Sequence, residues 1–110
     1  MGKFLVIFNG AAGESDKAAL SESRQTEFIN AWVAWAASND GALLGSGAPL
    51  NAKKRLTSDG VEEFRGTKTG YSLVQANSHD EAVQMLAQHP HLGLFAGNSI
   101  EVLECPPPPS

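Results

Sequence analysis

Residues 69–104 read TGYSLVQANSHDEAVQMLAQHPHLGLFAGNSIEVLE, and the order of features in this stretch decides the fold. Residues 70–76 (GYSLVQA) have the composition and length of a strand. Ser78, followed three residues later by Glu81, is a capping box: the serine hydroxyl accepts from the backbone N–H of residue 81, and the Glu81 carboxylate reaches back. This pattern starts a helix whose inward stripe is Ala82, Val83, Leu86 and His89. Pro90 ends it, because proline lacks the N–H that another turn needs. Residues 92–98 read as a glycine-containing loop and residues 99–105 (SIEVLEC) as the last strand. The prolines that follow cannot donate ladder hydrogen bonds, so residues 106–110 form a Pro-rich tail outside a single domain at 1–105.

Upstream the same strand-and-helix theme occurs once more. Residues 3–8 (KFLVIF) are continuously apolar, as expected of a strand buried on both faces, with Phe4, Val6 and Phe8 on one side and Leu5 and Ile7 on the other. Residues 11–20 are small and polar and read as a loop. Ser21 or Ser23 then caps a helix over 22–38. Phe28, Ile29, Trp32, Val33, Trp35 and Ala36 give that helix a broad apolar face, and Asn39-Asp40-Gly41 stops it, with Gly41 suited to the left-handed cap conformation. Residues 42–48 (ALLGSGA) resume an extended run in which Gly45 and Gly47 imply a bend, a bulge or a close approach of another backbone. Residues 53–57 and 61–64 flank Ser58-Asp59-Gly60 and predict a hairpin, which is short, polar and the part most inclined to protrude or reach a neighbour.

The resulting order, β-α-β, an inserted hairpin, β-α-β, is that of an α+β, ferredoxin-like βαββαβ fold: an antiparallel sheet with two helices on one face. A chain of 110 residues has little left to cover the other face, and the two-sided first strand demands a cover. The economical answer is a homodimer formed through the sheet faces.

Composition narrows the function classes. A net charge of -4 and a pI near 5.2 argue against nucleic-acid binding, which needs a concentrated basic footprint; Lys53, Lys54 and Arg55 are the only basic run. The single cysteine, Cys105, has no intramolecular partner, which suits a reducing compartment. The longest apolar runs, at 4–8 and 31–37, fall far short of the roughly 20 residues of a membrane span. No leader pattern precedes the first strand, so a cytoplasmic location without membrane association is expected.

Several segments together carry a family resemblance. They are KFLVIF, Trp32-x-x-Trp35 running into Asn39-Asp40-Gly41-Ala42-Leu43, Gly70-Tyr71-Ser72, Asp80-Glu81-Ala82-Val83, His89-Pro90-His91-Leu92 and Gly97-Asn98-Ser99-Ile100-Glu101-Val102. In order and spacing, over about residues 3–104, they resemble the YCII-related domain family of small bacterial proteins. The resemblance implies a ferredoxin-like chain that dimerises through its sheets into an α+β barrel, and it implies no particular reaction. Some members of the wider family carry a His and Asp pair proposed as a catalytic dyad. Here no histidine precedes His79, so a dyad drawn from the N-terminal half does not carry over. The Asp-Gly-Pro-Phe box of a related subgroup is also missing between Asp59 and Tyr71.

Among the side chains, His89-x-His91 admits three readings: a metal pair, a proton-handling pocket group, or packed residues with His89 in the helix stripe and His91 bonded to a loop carbonyl. No third ligand stands at a fixed spacing, so no metal is expected. Trp32 and Trp35, three apart, cannot both centre one stripe; core packing is the bland reading, and lining a pocket is the functional one. Ser46 and Tyr71 are candidate polar groups facing a cavity, although hydroxyls without a paired base are not nucleophiles. Gly45-x-Gly47 precedes no helix and lacks a following Lys-Ser or Lys-Thr, which excludes a phosphate loop. Cys105 reads as an inert strand residue.

The ligand-pocket candidates are therefore Trp32, Trp35, Ser46, Tyr71, His89 and His91, with His91 the weak catalytic candidate and no cofactor expected. The function expected is a small-molecule binding or auxiliary homodimer. The alternative is a cofactor-free enzyme of isomerase or monooxygenase type using a histidine as acid or base. A purely structural assembly unit would have no pocket.

Overall fold

The computed structural model describes residues 2–11 and 17–107. Residues 12–16, half of the predicted loop at 11–20, and the end of the tail at 108–110 lie outside the described residues. The order is β1 (Gly2–Asn9), α1 (Glu22–Ser38), a single 3-10 turn (Asp40–Ala42), β2 (Leu43–Pro49), β3 (Lys53–Thr57), β4 (Gly60–Phe64), β5 (Lys68–Ala76), α2 (His79–Ala87), the one-turn helix α3 (His91–Leu94) and β6 (Ser99–Cys105). Four strands form an antiparallel sheet in the order β2-β5-β1-β6, and β3 and β4 pair in a sheet of their own. This is the ferredoxin-like α+β arrangement with a hairpin inserted between β2 and β5.

Strand alternation places Phe4, Val6 and Phe8 of β1 and Val74 and Ala76 of β5 on the helix side, where they are buried with Trp35, Ala82 and Leu86. Each large side chain buried there contributes on the order of 2 kcal/mol of transfer free energy. Trp35 ties the two long helices together by donating its indole N–H to the Met85 carbonyl at 3.0 Å. On the other side of the sheet Leu5 stands between its cross-strand partners Leu73 and Leu103, and Ile7 between Tyr71 and Glu101. Among the described residues no element covers this row, and Leu103 is 43% exposed.

Helix boundaries follow their caps. Ser21 caps α1 by accepting from the Arg24 N–H at 3.1 Å, and Ser78 caps α2 by accepting from the Glu81 N–H at the same distance. The C-terminus of α1 corrects the expectation for Gly41, whose φ is not positive. Asn39 closes the helix instead: its backbone N–H reaches the Trp35 and Ala36 carbonyls, and its side-chain amide donates to the Trp35 carbonyl at 2.8 Å. With those carbonyls satisfied, no left-handed residue is needed.

Two further expectations are corrected. Ile29, Val33 and Val83 are not buried in the core; they are 59%, 62% and 48% exposed, because the contact stripe of each helix is narrower than its apolar composition. Residues 91–94 form a helical turn after Pro90 rather than an irregular loop.

The sheet is irregular at one end. The β1–β5 register slips between Phe8 and Asn9, leaving Thr69 outside the pairing, and its hydroxyl donates to the Phe8 carbonyl at 3.1 Å. The β2–β5 register slips twice between Leu43 and Ala48, around Gly45 and Gly47. Bulges of this kind bend strands and commonly stand beside functional sites.

Candidate functional site

Both irregularities fall where α1, the end of the sheet and the α3 segment meet, and there the structure has a cavity of about 660 Å³. Its walls are mainly apolar: Phe8 of β1, Phe28, Ile29 and Trp32 of α1, and Leu94 and Phe95 beyond α3. Polar groups enter from Gln25, Ser46, Thr69, His91 and Asn98. Phe28 packs edge-on against Trp32 with ring centres 5.5 Å apart, and Trp32 lies 5.0 Å from Phe8, so the aromatic wall is one continuous cluster.

The sequence candidates divide on placement. Trp32, Ser46, Tyr71 and His91 border the cavity; Trp35 and His89 do not. Trp35 is a core residue engaged with α2. Tyr71 pairs with Ile7, so alternation sets its side chain on the sheet face opposite the helices, although the residue borders the cavity. Ser46 stands in the bulge of β2, where Ser72 Oγ donates to the Gly45 carbonyl at 3.0 Å and holds the strand in place.

The two histidines form a linked pair. His91 Nε2 lies 2.9 Å from the Asn9 carbonyl, an acceptor, so Nε2 carries the proton. In the neutral ring Nδ1 then holds a lone pair, without a hydrogen-bond partner among the described residues, on a ring that forms part of the cavity wall. Behind it, His89 Nδ1 accepts the His91 backbone N–H at 3.0 Å, which requires the Nε2–H tautomer of His89. That Nε2 is buried with no partner among the described residues. The His89 ring is enclosed by Trp32 at 4.2 Å, Trp35 at 4.6 Å and Phe8 at 4.8 Å between centres. His89 is thus a backing group that holds the first residue of α3 in place.

Burial, followed by the neighbouring His91, lowers the pKa of His89 from 6.5 to about 4. The geometry agrees, since a doubly protonated His89 could no longer accept from the His91 N–H. Because the folded pKa is depressed, the unfolded chain binds more protons between pH 6.5 and 4 and stability falls as pH falls through that window. Thermal melts should therefore lose stability from pH 6.5 to 4, by on the order of 2 kcal/mol, and a His89→Leu variant should lose this part of the slope. An unchanged slope would remove His89 from the account.

The rest of the frame comes from residues that sequence reasoning missed. Asn98 accepts the Ala11 N–H at 2.9 Å and donates to the His91 carbonyl at 3.1 Å, pinning two segments beside the cavity. Arg24 donates to the Gly93 carbonyl at 3.2 Å and links the start of α1 to α3. Phe28 was recognisable as an apolar helix residue but not as a wall of this cavity. Phe95 and Asn98 sit after α3 and carried no periodic signal. His79 is exposed yet not idle: its Nε2 donates to the Val102 carbonyl at 2.8 Å and its ring lies 5.1 Å from Phe4. Among the described residues no three His, Cys, Asp or Glu side chains converge as a metal site, and no helix is long and apolar enough to cross a membrane.

No family model matches this chain, and no curated protein matches it. Among solved structures it is similar to 5-chloro-2-hydroxyhydroquinone dehydrochlorinase from Burkholderia phenoliruptrix AC1100, determined in complex with 2,5-dihydroxybenzoquinone. The TM-score is 0.54 at 19% identity, over 90% of each chain. At that identity the likeness establishes one thing: the chain has the α+β fold of this enzyme over nearly its whole length.

Proposed function

We propose that this chain is a YCII-related, cytoplasmic homodimeric module that binds a planar hydroxylated aromatic molecule of the hydroquinone class in the cavity between α1 and the sheet. The observation that carries the reading is the cavity itself: about 660 Å³, walled by Phe8, Phe28, Trp32 and Phe95, with His91 among its lining residues. Small-molecule sites typically span about 300–1,000 Å³, are mostly apolar and hold a few placed polar groups. The name of the structural neighbour, whose substrate is a chlorinated hydroxyhydroquinone, supports the choice of ligand class. The homodimer is supported by the uncovered row of Leu5, Leu73 and Leu103, which a second sheet would bury.

A second reading is favoured by His91. Its Nε2–H is held by the Asn9 carbonyl, and Nδ1, without a hydrogen-bond partner among the described residues, is the atom that would take a proton from an acidic hydroxyl, the step a cofactor-free acid–base enzyme needs.

Both readings are tested by following the two indole N–H signals in NMR spectra during titration with hydroxyhydroquinone under reducing conditions. Saturable binding should shift the Trp32 signal and leave that of Trp35, which is held by Met85, nearly in place. Absence of saturation, or equal shifts of both, contradicts the cavity as the site. Proton exchange or turnover of the ligand that vanishes in His91→Gln would select the enzyme.

A further inference from the structure

The bond that starts α3 is made by a group that titrates. Pro90 follows His89, and the His91 N–H beyond it is met by His89 Nδ1 at 3.0 Å. A side chain that accepts from the backbone N–H two residues on makes an Asx-type turn, for which asparagine and aspartate are the usual residues. Histidine differs from asparagine in one respect: its acceptor nitrogen takes a proton, and with that proton it becomes a donor.

The surroundings of His89 do not suit a charged ring. The residue is 3% exposed. Phe8 of β1 and Trp32 and Trp35 of α1 enclose it, and α2 meets it through the Leu86 carbonyl, which accepts the His89 backbone N–H. The titratable group that faces it, His91, is another base, and among the described residues no carboxylate pairs with it. Protonation at Nδ1 sets two donors 3.0 Å apart and places a charge in an apolar box, so the His89–His91 contact has to part. The element that can move is α3. Its four residues are too few to hold a helix by themselves. Three other side-chain hydrogen bonds tie it down: His91 Nε2 to the Asn9 carbonyl, Asn98 to the His91 carbonyl and Arg24 to the Gly93 carbonyl. By contrast, β1 is laddered on both sides.

We propose that the His89–His91 bond is a proton-operated latch on the cavity: when solvent protonates His89 Nδ1, α3 parts from the end of the sheet, and the wall to which His91, Leu94 and Phe95 belong opens. This rests on the ligand reading and adds its regulation, a ligand held at neutral pH and released in acid. One proton is taken up per opening, and no bond between heavy atoms forms or breaks. The closed ring titrates at about 4, burial being the main cause, against 6.5 for a released one. Closing is therefore fully favoured above pH 6.5 and is lost as pH falls through the window to 4. Acidification across that window shifts the balance towards opening by on the order of 100-fold.

Amide hydrogen exchange reads the latch without a ligand. At every pH the His91 amide should be less protected than those of Val6 and Val74 on the central strands, and between pH 7 and 4 it should lose on the order of 100-fold of its protection after correction for intrinsic rates. His89→Asn, whose Oδ1 can accept the same N–H and does not titrate, should remove that acid-induced loss. Exchange of His91 in step with Val6 and Val74, or an equal loss in His89→Asn, overturns the latch. Should the variant not fold, the wild type decides: loss of His91 protection has to follow the NMR titration of the His89 ring, and a mismatch overturns the latch. Titration with hydroxyhydroquinone, followed at the Trp32 indole, should show binding about tenfold weaker at pH 4 than at pH 7 in the wild type and a smaller change in His89→Asn. Saturable binding with the same pH dependence in both chains sinks the latch and leaves the ligand reading standing. Binding that never saturates at pH 7 sinks the ligand reading and, with it, the regulatory role.

Discussion

Gly47→Ala should unfold the chain or leave it severely destabilised. Gly47 has φ +70°, and a Cβ built there would lie 1.8 Å from the Tyr71 carbonyl oxygen and 2.6 Å from its carbon. Both contacts are to backbone, so no side-chain rotation relieves them. Overpacking costs about 1–3 kcal/mol where neighbours can adjust, and the left-handed conformation adds about 1–2 kcal/mol for a non-glycine residue. The change strikes β2 at its bulge, where the edge strand meets β5 and the cavity begins. A loss of about 3 kcal/mol or more corresponds to a melting temperature lower by 10 °C or more in a domain of this size. Gly45→Ala is the control: nothing stands within 4 Å of its Cβ and its φ is not positive, so its melting curve should stay close to wild type. Similar losses in the two variants would mean that the close approach of β2 to β5 is not what Gly47 provides.

His91→Ala should weaken ligand binding about 10- to 100-fold with a smaller loss of stability than Gly47→Ala. Two things go at once: the Nε2–H that satisfies the Asn9 carbonyl, and the Nδ1 that has no hydrogen-bond partner among the described residues. An acceptor left without its partner costs about 1–3 kcal/mol. A lost ligand hydrogen bond of similar size corresponds to a dissociation constant about 10- to 100-fold weaker. His91→Gln separates the effects, since its amide can donate to Asn9 but cannot take a proton at neutral pH. Stability should return towards wild type in His91→Gln. Binding that depends on a proton acceptor should not, and any acid–base turnover should fall by about 10²- to 10⁴-fold. Full recovery of both in His91→Gln would mean that His91 is a structural prop.

The fold was legible where local chemistry and long-range packing agree. The two-sided apolar run at 3–8, the Ser78 cap and the Ser99–Cys105 strand each specify an element by themselves, and together they leave one topology. Periodicity over-read the helices: Ile29, Val33 and Val83 are apolar at helical spacing, yet the sheet covers a narrower stripe. Asn39 displaced Gly41 as the cap because a side-chain amide did what a left-handed glycine otherwise does. The site was only partly legible. His91 stood out as a titratable residue beside a helix stop, and Trp32 as a large residue on an inward face. Their convergence with Phe95 and Asn98 depends on where α3 turns and on a one-residue slip in the β1–β5 ladder, neither of which has a sequence signature. The pairing of His89 with His91 was visible as a spacing, but whether the rings would point together or split between core and cavity depended on Pro90 starting a new turn.

The most direct test of the cavity as a ligand site is a crystal structure of the chain grown with hydroxyhydroquinone under reducing conditions. The expected result is a ring lying against Trp32 and Phe8, with one hydroxyl oxygen at hydrogen-bonding distance, about 2.6–3.2 Å, from His91 Nδ1. A saturated crystal in which the cavity holds no ring, or in which the ligand lies away from His91 and Trp32, would contradict it.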